Sequence, residues 1–147
     1  MDGTGDVHIL LVEDNADHAH LTLRALKDSN AVRTSWVKDG QEALDFLHHQ
    51  PESIETESAP RPGLILLDIN LPKVNGHEVL RHVKHDEALR SIPVVMLTTS
   101  DQEHEVAAAY RAGANSYVTK PVKAGLFMEQ VKALKHYWTR TNELPAA

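Results

Sequence analysis

Glu13-Asp14, Asp68, Thr98 and Lys120-Pro121 each stand where a short apolar run gives out. Three carboxylates, a hydroxyl and an ammonium would share one small site if the runs that carry them are neighbouring parallel strands. Side chains at the carboxyl ends of such strands face a common crevice, which is where open α/β sheets bind ligands. Two carboxylates about 4 Å apart repel by roughly 4 kcal/mol at an effective dielectric near 20, so three of them need a cation between them. Oxygen-only ligands suit a hard divalent ion, Mg2+ above all, which takes one or two carboxylates and keeps several waters. A carboxylate such as Asp68 can act as a nucleophile that accepts a phosphoryl group as an acyl phosphate. The ion and positioned donors would then neutralise the phosphoryl oxygens.

The elements that must position these groups are legible as alternating segments. Five β-like runs, His8 to Val12, Val32 to Val37, Leu64 to Leu67, Pro93 to Leu97 and Ser116 to Thr119, alternate with helix-like stretches. That alternation predicts βα units and a parallel sheet. The first, third and fourth runs are continuously apolar, as strands covered on both faces must be, and so belong in the middle. The second carries Arg33, Thr34 and Ser35 and the fifth Ser116 and Thr119, which marks both as edges. The order 2-1-3-4-5 satisfies this, giving a flavodoxin-like doubly wound five-stranded sheet. Asp39-Gly40 and Asn75-Gly76 punctuate helix starts, Ser100 or Asp101 can cap a helix that stops at Gly113, and Phe127, Val131, Leu134 and Trp138 recur at helical spacing. This last helix is long enough to pack and still extend past the body.

The 147 residues fit a single domain, with a core at about 7–139, a Pro-rich and acidic insertion at 50–63 expected to be exposed, and a C-terminal tail at 140–147. A chain of this size buries about 68–70% of its unfolded surface without staples. The formal charge of −6, with basic residues dispersed, argues against a nucleic-acid surface. The absence of cysteine excludes disulfides and thiolate metal sites and fits a reducing compartment. The acidic start and the lack of a long apolar run predict a cytoplasmic protein with no membrane partner.

Other signals carry less. Gly3-Thr4-Gly5 precedes the first strand instead of following it, so it is no dinucleotide loop, and no Walker-type sequence occurs. His82 and His85 share a helical face with Glu78, a spacing that reads as structural, so the metal expectation stays with oxygen ligands. His18 and His20, two apart, do not share a helix face.

The ordered set Leu11-Val12-Glu13-Asp14-Asn15, Leu67-Asp68-Ile69-Asn70-Leu71-Pro72 with Asn75-Gly76, Met96-Leu97-Thr98, and Ala112-Gly113-Ala114 through Tyr117-Val118-Thr119-Lys120-Pro121 resembles the receiver domain of two-component response regulators over nearly the whole chain. The resemblance implies Asp68 as phosphoacceptor, with Glu13, Asp14, Asp68 and the Asn70 carbonyl serving Mg2+. It implies that Thr98 bonds a phosphoryl oxygen, that Lys120 pairs with the phosphate, and that Thr98 and Tyr117 form the switch. It also implies a cis Lys120-Pro121 bond and a sensor histidine kinase as partner. The 50–63 insertion and the Tyr137-Trp138 to Leu144-Pro145 ending resemble the small stand-alone regulators associated with bacterial phytochromes. On this reading the chain is not an enzyme beyond self-catalysed phosphotransfer and autodephosphorylation. A homodimer is expected through the fourth helix, fifth strand and fifth helix, with Tyr137 and Trp138 in the contact.

Two other functions compete. One is a phosphorylation-independent adaptor on the same scaffold, which has no physical need for the complete acid, hydroxyl and lysine set. The other is an aspartyl-phosphate phosphatase resembling the haloacid dehalogenase family, which wants an aspartate two residues after the nucleophile, where this chain has Asn70.

Overall fold

The computed structural model describes residues 7–27, 32–49 and 61–145. Strands β1 (Val7–Val12), β2 (Val32–Val37), β3 (Leu64–Leu67), β4 (Val94–Thr98) and β5 (Ser116–Thr119) alternate with helices α1 (Ala16–Leu26), α2 (Gly40–His49), α3 (Gly76–His85), α4 (Glu103–Arg111) and α5 (Ala124–His136). All pairings are parallel and the order is β2-β1-β3-β4-β5, as the polarity of the five runs predicts. This is the doubly wound flavodoxin-like arrangement.

The continuously apolar runs are explained by the two-residue strand period. Leu10, Val12, Ile65, Leu67, Val94 and Met96 face one layer, packed with Val79, Leu80 and Val83 of α3 and Ala43 and Leu47 of α2. Ile9, Leu11, Leu64, Leu66, Val95 and Leu97 face the other, packed with Ala19 and Leu26 of α1 and Phe127 and Val131 of α5. Every residue of β2 and β5 is only half-buried, in keeping with their edge positions.

Local chemistry sets the helix starts. Asn75 caps α3 in a reciprocal box: its side chain accepts from the Glu78 N–H, and the Glu78 carboxylate accepts from the Asn75 N–H. Asn15 caps α1 by accepting from the His18 N–H. Helix α4 starts after Gln102 without a side-chain cap; Ser100 instead bonds Glu105 within its first turn. Gly113, at φ +108°, follows α4 at the expected place.

The chain's last described segment departs from expectation. After α5 the helix widens into a π-helical turn, Tyr137–Thr141, and Trp138 is buried among Ile9, Leu11, Phe127 and Val131 rather than projecting beyond the body. Leu144 returns to the same layer and lies beside Gly63, as does Val7. Residues 50–60 of the expected insertion, and 146–147 of the tail, lie outside the described residues. Arg61 donates to Ser91 at 3.0 Å, and the Gly63 N–H donates to the His8 carbonyl at 2.8 Å.

Candidate phosphoacceptor site

Register brings the reactive groups together. Val12 pairs with Leu67, so the residues that follow, Glu13 and Asp68, leave adjacent strand ends. Thr98 ends β4 opposite Thr119, and the Lys120 N–H donates to the Thr98 carbonyl at 2.7 Å. Three backbone-directed bonds fix the first loop: the Glu13 N–H donates to the Val37 carbonyl at 3.1 Å, the Trp36 indole to the Glu13 carbonyl at 2.8 Å, and the Asp68 N–H to the Val12 carbonyl at 3.1 Å. Gly76 presses against the strand end that holds Asp68; a Cβ there would lie 2.1 Å from the Asp68 carbonyl oxygen. No side chain fits that approach.

Glu13, Asp68, Thr98 and Lys120 are buried, whereas Asp14 is exposed. Carboxylate oxygens of Glu13, Asp14 and Asp68 all lie within 4.8 Å of one another. The Lys120 ammonium stands 2.5 Å from Glu13 Oε1 and 3.3 Å from Asp68 Oδ2. With all three carboxylates ionised, one ammonium leaves two negative charges uncompensated, a gap that one divalent ion would fill. The donor set is oxygen only, so the residues present fit a hard cation of the Mg2+ or Mn2+ kind. Burial pushes the Glu13 carboxyl up to about 7, against the opposing pull of Lys120, and Asp68 adds to the rise by repulsion.

Two loops frame the pocket. The Asn70 N–H donates to Asp68 Oδ1 at 3.4 Å, which places the exposed Asn70 directly beside the carboxylate. Thr98 Oγ1 accepts from the Ser100 N–H at 3.5 Å, and the Tyr117 hydroxyl donates to the Ser100 carbonyl at 2.8 Å. Thr98 and Tyr117 therefore converge on one loop residue, and burial holds the Tyr117 phenol above its ordinary range.

Two expectations change. No peptide bond among the described residues is cis, so Lys120-Pro121 is trans. The trans form is favoured by about 0.5–1 kcal/mol before proline, and the β5 register alone carries Lys120 to the carboxylates. His18, set aside on spacing, belongs to the site: its Nδ1 accepts from the Lys120 ammonium at 3.0 Å and its ring leans on Phe127. Burial and the neighbouring Lys120 charge lower its pKa, which keeps the ring a neutral acceptor. No sequence signal could have shown this, because the contact spans the first turn of α1 and the exit of β5.

Residues 9–132 match the response regulator receiver domain family. The chain is 43% identical to the probable methanogenesis regulatory protein FilR2 of Methanothrix harundinacea, over 93% of this chain and 86% of that protein. It is 42% identical to response regulator Rcp1 of Synechocystis, over 95% of this chain and 93% of the relative. Among solved structures, the phosphorylated cyanobacterial phytochrome response regulator RcpA superposes with TM-score 0.89 at 38% identity, covering 97% of this chain and all (100%) of that one. The Mn2+-bound form of Rcp1 superposes with TM-score 0.86 at 41% identity, covering 95% and 99%. With its sheet order, its pocket at the carboxyl edge and these matches over nearly its full length, the chain belongs to the response regulator receiver domain family.

Proposed function

We propose that this protein is a phosphorylation switch in which Asp68 takes a phosphoryl group from the phosphohistidine of a sensor kinase. The observation that carries the reading is the placing of Lys120 between Glu13 and Asp68, within a carboxylate cluster whose charge calls for a divalent ion. An Asp68 carboxylate oxygen attacks phosphorus, the P–N bond breaks with its electron pair going to the imidazole nitrogen, and that nitrogen takes up a proton from solvent as it leaves. Mg2+, held by Glu13, Asp14, Asp68 and the Asn70 carbonyl, supplies charge neutralisation at the phosphoryl oxygens when bound. Lys120 pairs with a phosphoryl oxygen, and the Thr98 hydroxyl donates to another. Drawing Thr98 inward shifts the loop at Ser100, whose carbonyl Tyr117 holds, so a charge event becomes a packing change on the outer face of β5.

The similarity to RcpA and Rcp1 supports a bacterial phytochrome as the kinase, and on this reading the chain acts in the cytoplasm through protein contacts. Exposed Tyr110, Leu126 and Tyr137 on α4, α5 and the closing turn support a homodimer through that face. Trp138 contributes nothing to it, being buried in its own domain. Asn70 beside Asp68 disfavours a phosphatase, which lacks here the second carboxylate it needs as general acid. An inert adaptor would leave the buried Lys120–Glu13 pair without purpose.

The test is incubation with Mg2+ and acetyl phosphate, followed by peptide mapping and then transfer from candidate kinases. Modification confined to Asp68 and lost in Asp68→Asn, which should stay folded, supports the switch. An undiminished phosphate signal in that variant sinks it.

A further inference from the structure

We propose that His48, His82 and Asp86 form a second cation site, for Zn2+ or a similar late first-row ion, at the end of the sheet opposite the phosphoacceptor. One ligand atom from each residue lies within 4.8 Å of the others. His48 is on the last turn of α2, His82 on the second half of α3, and Asp86 is the residue that ends α3. His82 and Asp86, four apart, share one helix face; the packing of α2 on α3 brings His48 to them. Helices of a parallel sheet run back against the strands. These helix ends therefore lie about 15 Å, the length of a ten-residue helix, from the helix starts beside the acidic pocket.

The geometry of the two rings points to a shared cation. Nε2 of His48 and Nε2 of His82 face each other at 2.6 Å, with the rings nearly perpendicular at 84°. Two N–H groups cannot meet so closely, so at least one nitrogen presents its lone pair and the pair is bridged by a proton or an ion. Zn–N bonds of about 2.0–2.1 Å at the tetrahedral angle set two ligand nitrogens about 3.3–3.4 Å apart. A small rotation of two exposed side chains supplies that opening. Asp86 Oδ1 accepts from the Ala88 N–H at 2.7 Å, which orients the carboxylate and leaves its other oxygen for the ion. Both imidazoles also sit at helix carboxyl ends, where the backbone dipoles favour positive charge.

Two imidazoles and one carboxylate, with a fourth position for water, are a zinc-type set. Mg2+ prefers oxygen ligands alone, so the two sites divide the cations between them by chemistry. Occupancy would clamp the ends of α2 and α3 together.

Untagged full-length protein in excess Mg2+, which fills the acidic pocket, is titrated with Zn2+ against a chromophoric chelator. One equivalent should bind with micromolar or tighter affinity. His48→Gln and His82→Gln should each weaken it beyond the roughly 10–100-fold that losing a supporting contact to a ligand costs, while Asp68→Asn leaves it unchanged. NMR should show the His48 and His82 ring resonances moving first. Binding that survives in the His48→Gln, His82→Gln double variant, that spreads over several histidines without one defined equivalent, or that vanishes in Asp68→Asn overturns the proposal. Circular dichroism melts of the variants without Zn2+ separate lost ligation from lost folding.

Discussion

Lys120 stands closer to Glu13, at 2.5 Å, than to Asp68, the proposed phosphoacceptor, at 3.3 Å. The ammonium is thus held chiefly by a carboxylate that a divalent ion would claim. On the proposed reading, cation binding would draw Glu13 toward the metal and free Lys120 for an incoming phosphoryl group, so the two events would prepare each other.

Stability should therefore depend on pH and Mg2+ together. The Glu13 carboxyl is raised from 4.5 to about 7, so between those values the folded state binds more protons than the unfolded one. Stability in the absence of metal should fall as pH climbs through that window. Mg2+ competes with the proton and should stabilise more at pH 8 than at pH 6, reaching about 2.7 kcal/mol at one hundred times its dissociation constant. Melting curves at both pH values, with and without Mg2+, check this; Glu13→Gln should flatten the metal-free slope. A Tm that ignores Mg2+ at pH 8 would count against the site.

Lys120→Met removes the only cation within bonding reach of the buried Glu13 and Asp68 carboxylates among the described residues. Breaking a buried pair costs roughly 3–5 kcal/mol; protonation of Glu13 should hold the loss to the low end at pH 6. Urea titrations at pH 6 and pH 8 measure the difference, and equal losses at both would separate Glu13 from the effect.

Trp138 and Tyr137 should divide stability from assembly. Trp138 is 8% exposed and Tyr137 48%. Trp138→Ala should cost about 3–5 kcal/mol as a large core truncation. Tyr137→Ala should leave the melt nearly unchanged and weaken self-association in sedimentation. A species that stays monomeric across micromolar concentrations, with or without phosphorylation, would remove the dimer.

Gly76→Ala should damage the pocket from a distance. Its Cβ would meet the Asp68 carbonyl oxygen at 2.1 Å, so α3 or the end of β3 must move. Both the melting temperature and the initial rate of phosphorylation by acetyl phosphate should drop, whereas Gly125→Ala, whose Cβ meets nothing within 4 Å, should change neither.

The sheet and its pocket were readable because each strand declares its burial by composition and each reactive group lies at or just past the carboxyl end of a strand. Ile9 to Val12 had to be covered on both faces, and once β1, β3 and β4 were central, Glu13, Asp68 and Thr98 had to meet. His18 was not readable: a ring at the start of α1 reaches Lys120 only through the packing of α1 on α5. The same is true of His48 and His82, which meet across two helices. Helical spacing correctly sets Trp138 on one face with Phe127, Val131 and Leu134, but spacing alone does not tell whether that face stays on the protein's own core or extends past it, and Trp138 is buried. The Lys120-Pro121 bond misled because the family resemblance supplied a geometry that the β5 register did not require.

The return of Leu144 to Gly63 and Val7 brings the two extremes of the described chain together at the amino ends of the central strands β1 and β3. The fold is thereby almost a closed ring. A short polar linker from residue 145 to residue 7 would splice it into a circular permutant without touching Glu13, Asp68, Thr98 or Lys120. Reopened at another exposed loop, such a permutant should keep the proposed phosphoacceptor chemistry, and it would allow a reporter domain to be attached beside β5 instead of at the amino ends of β1 and β3.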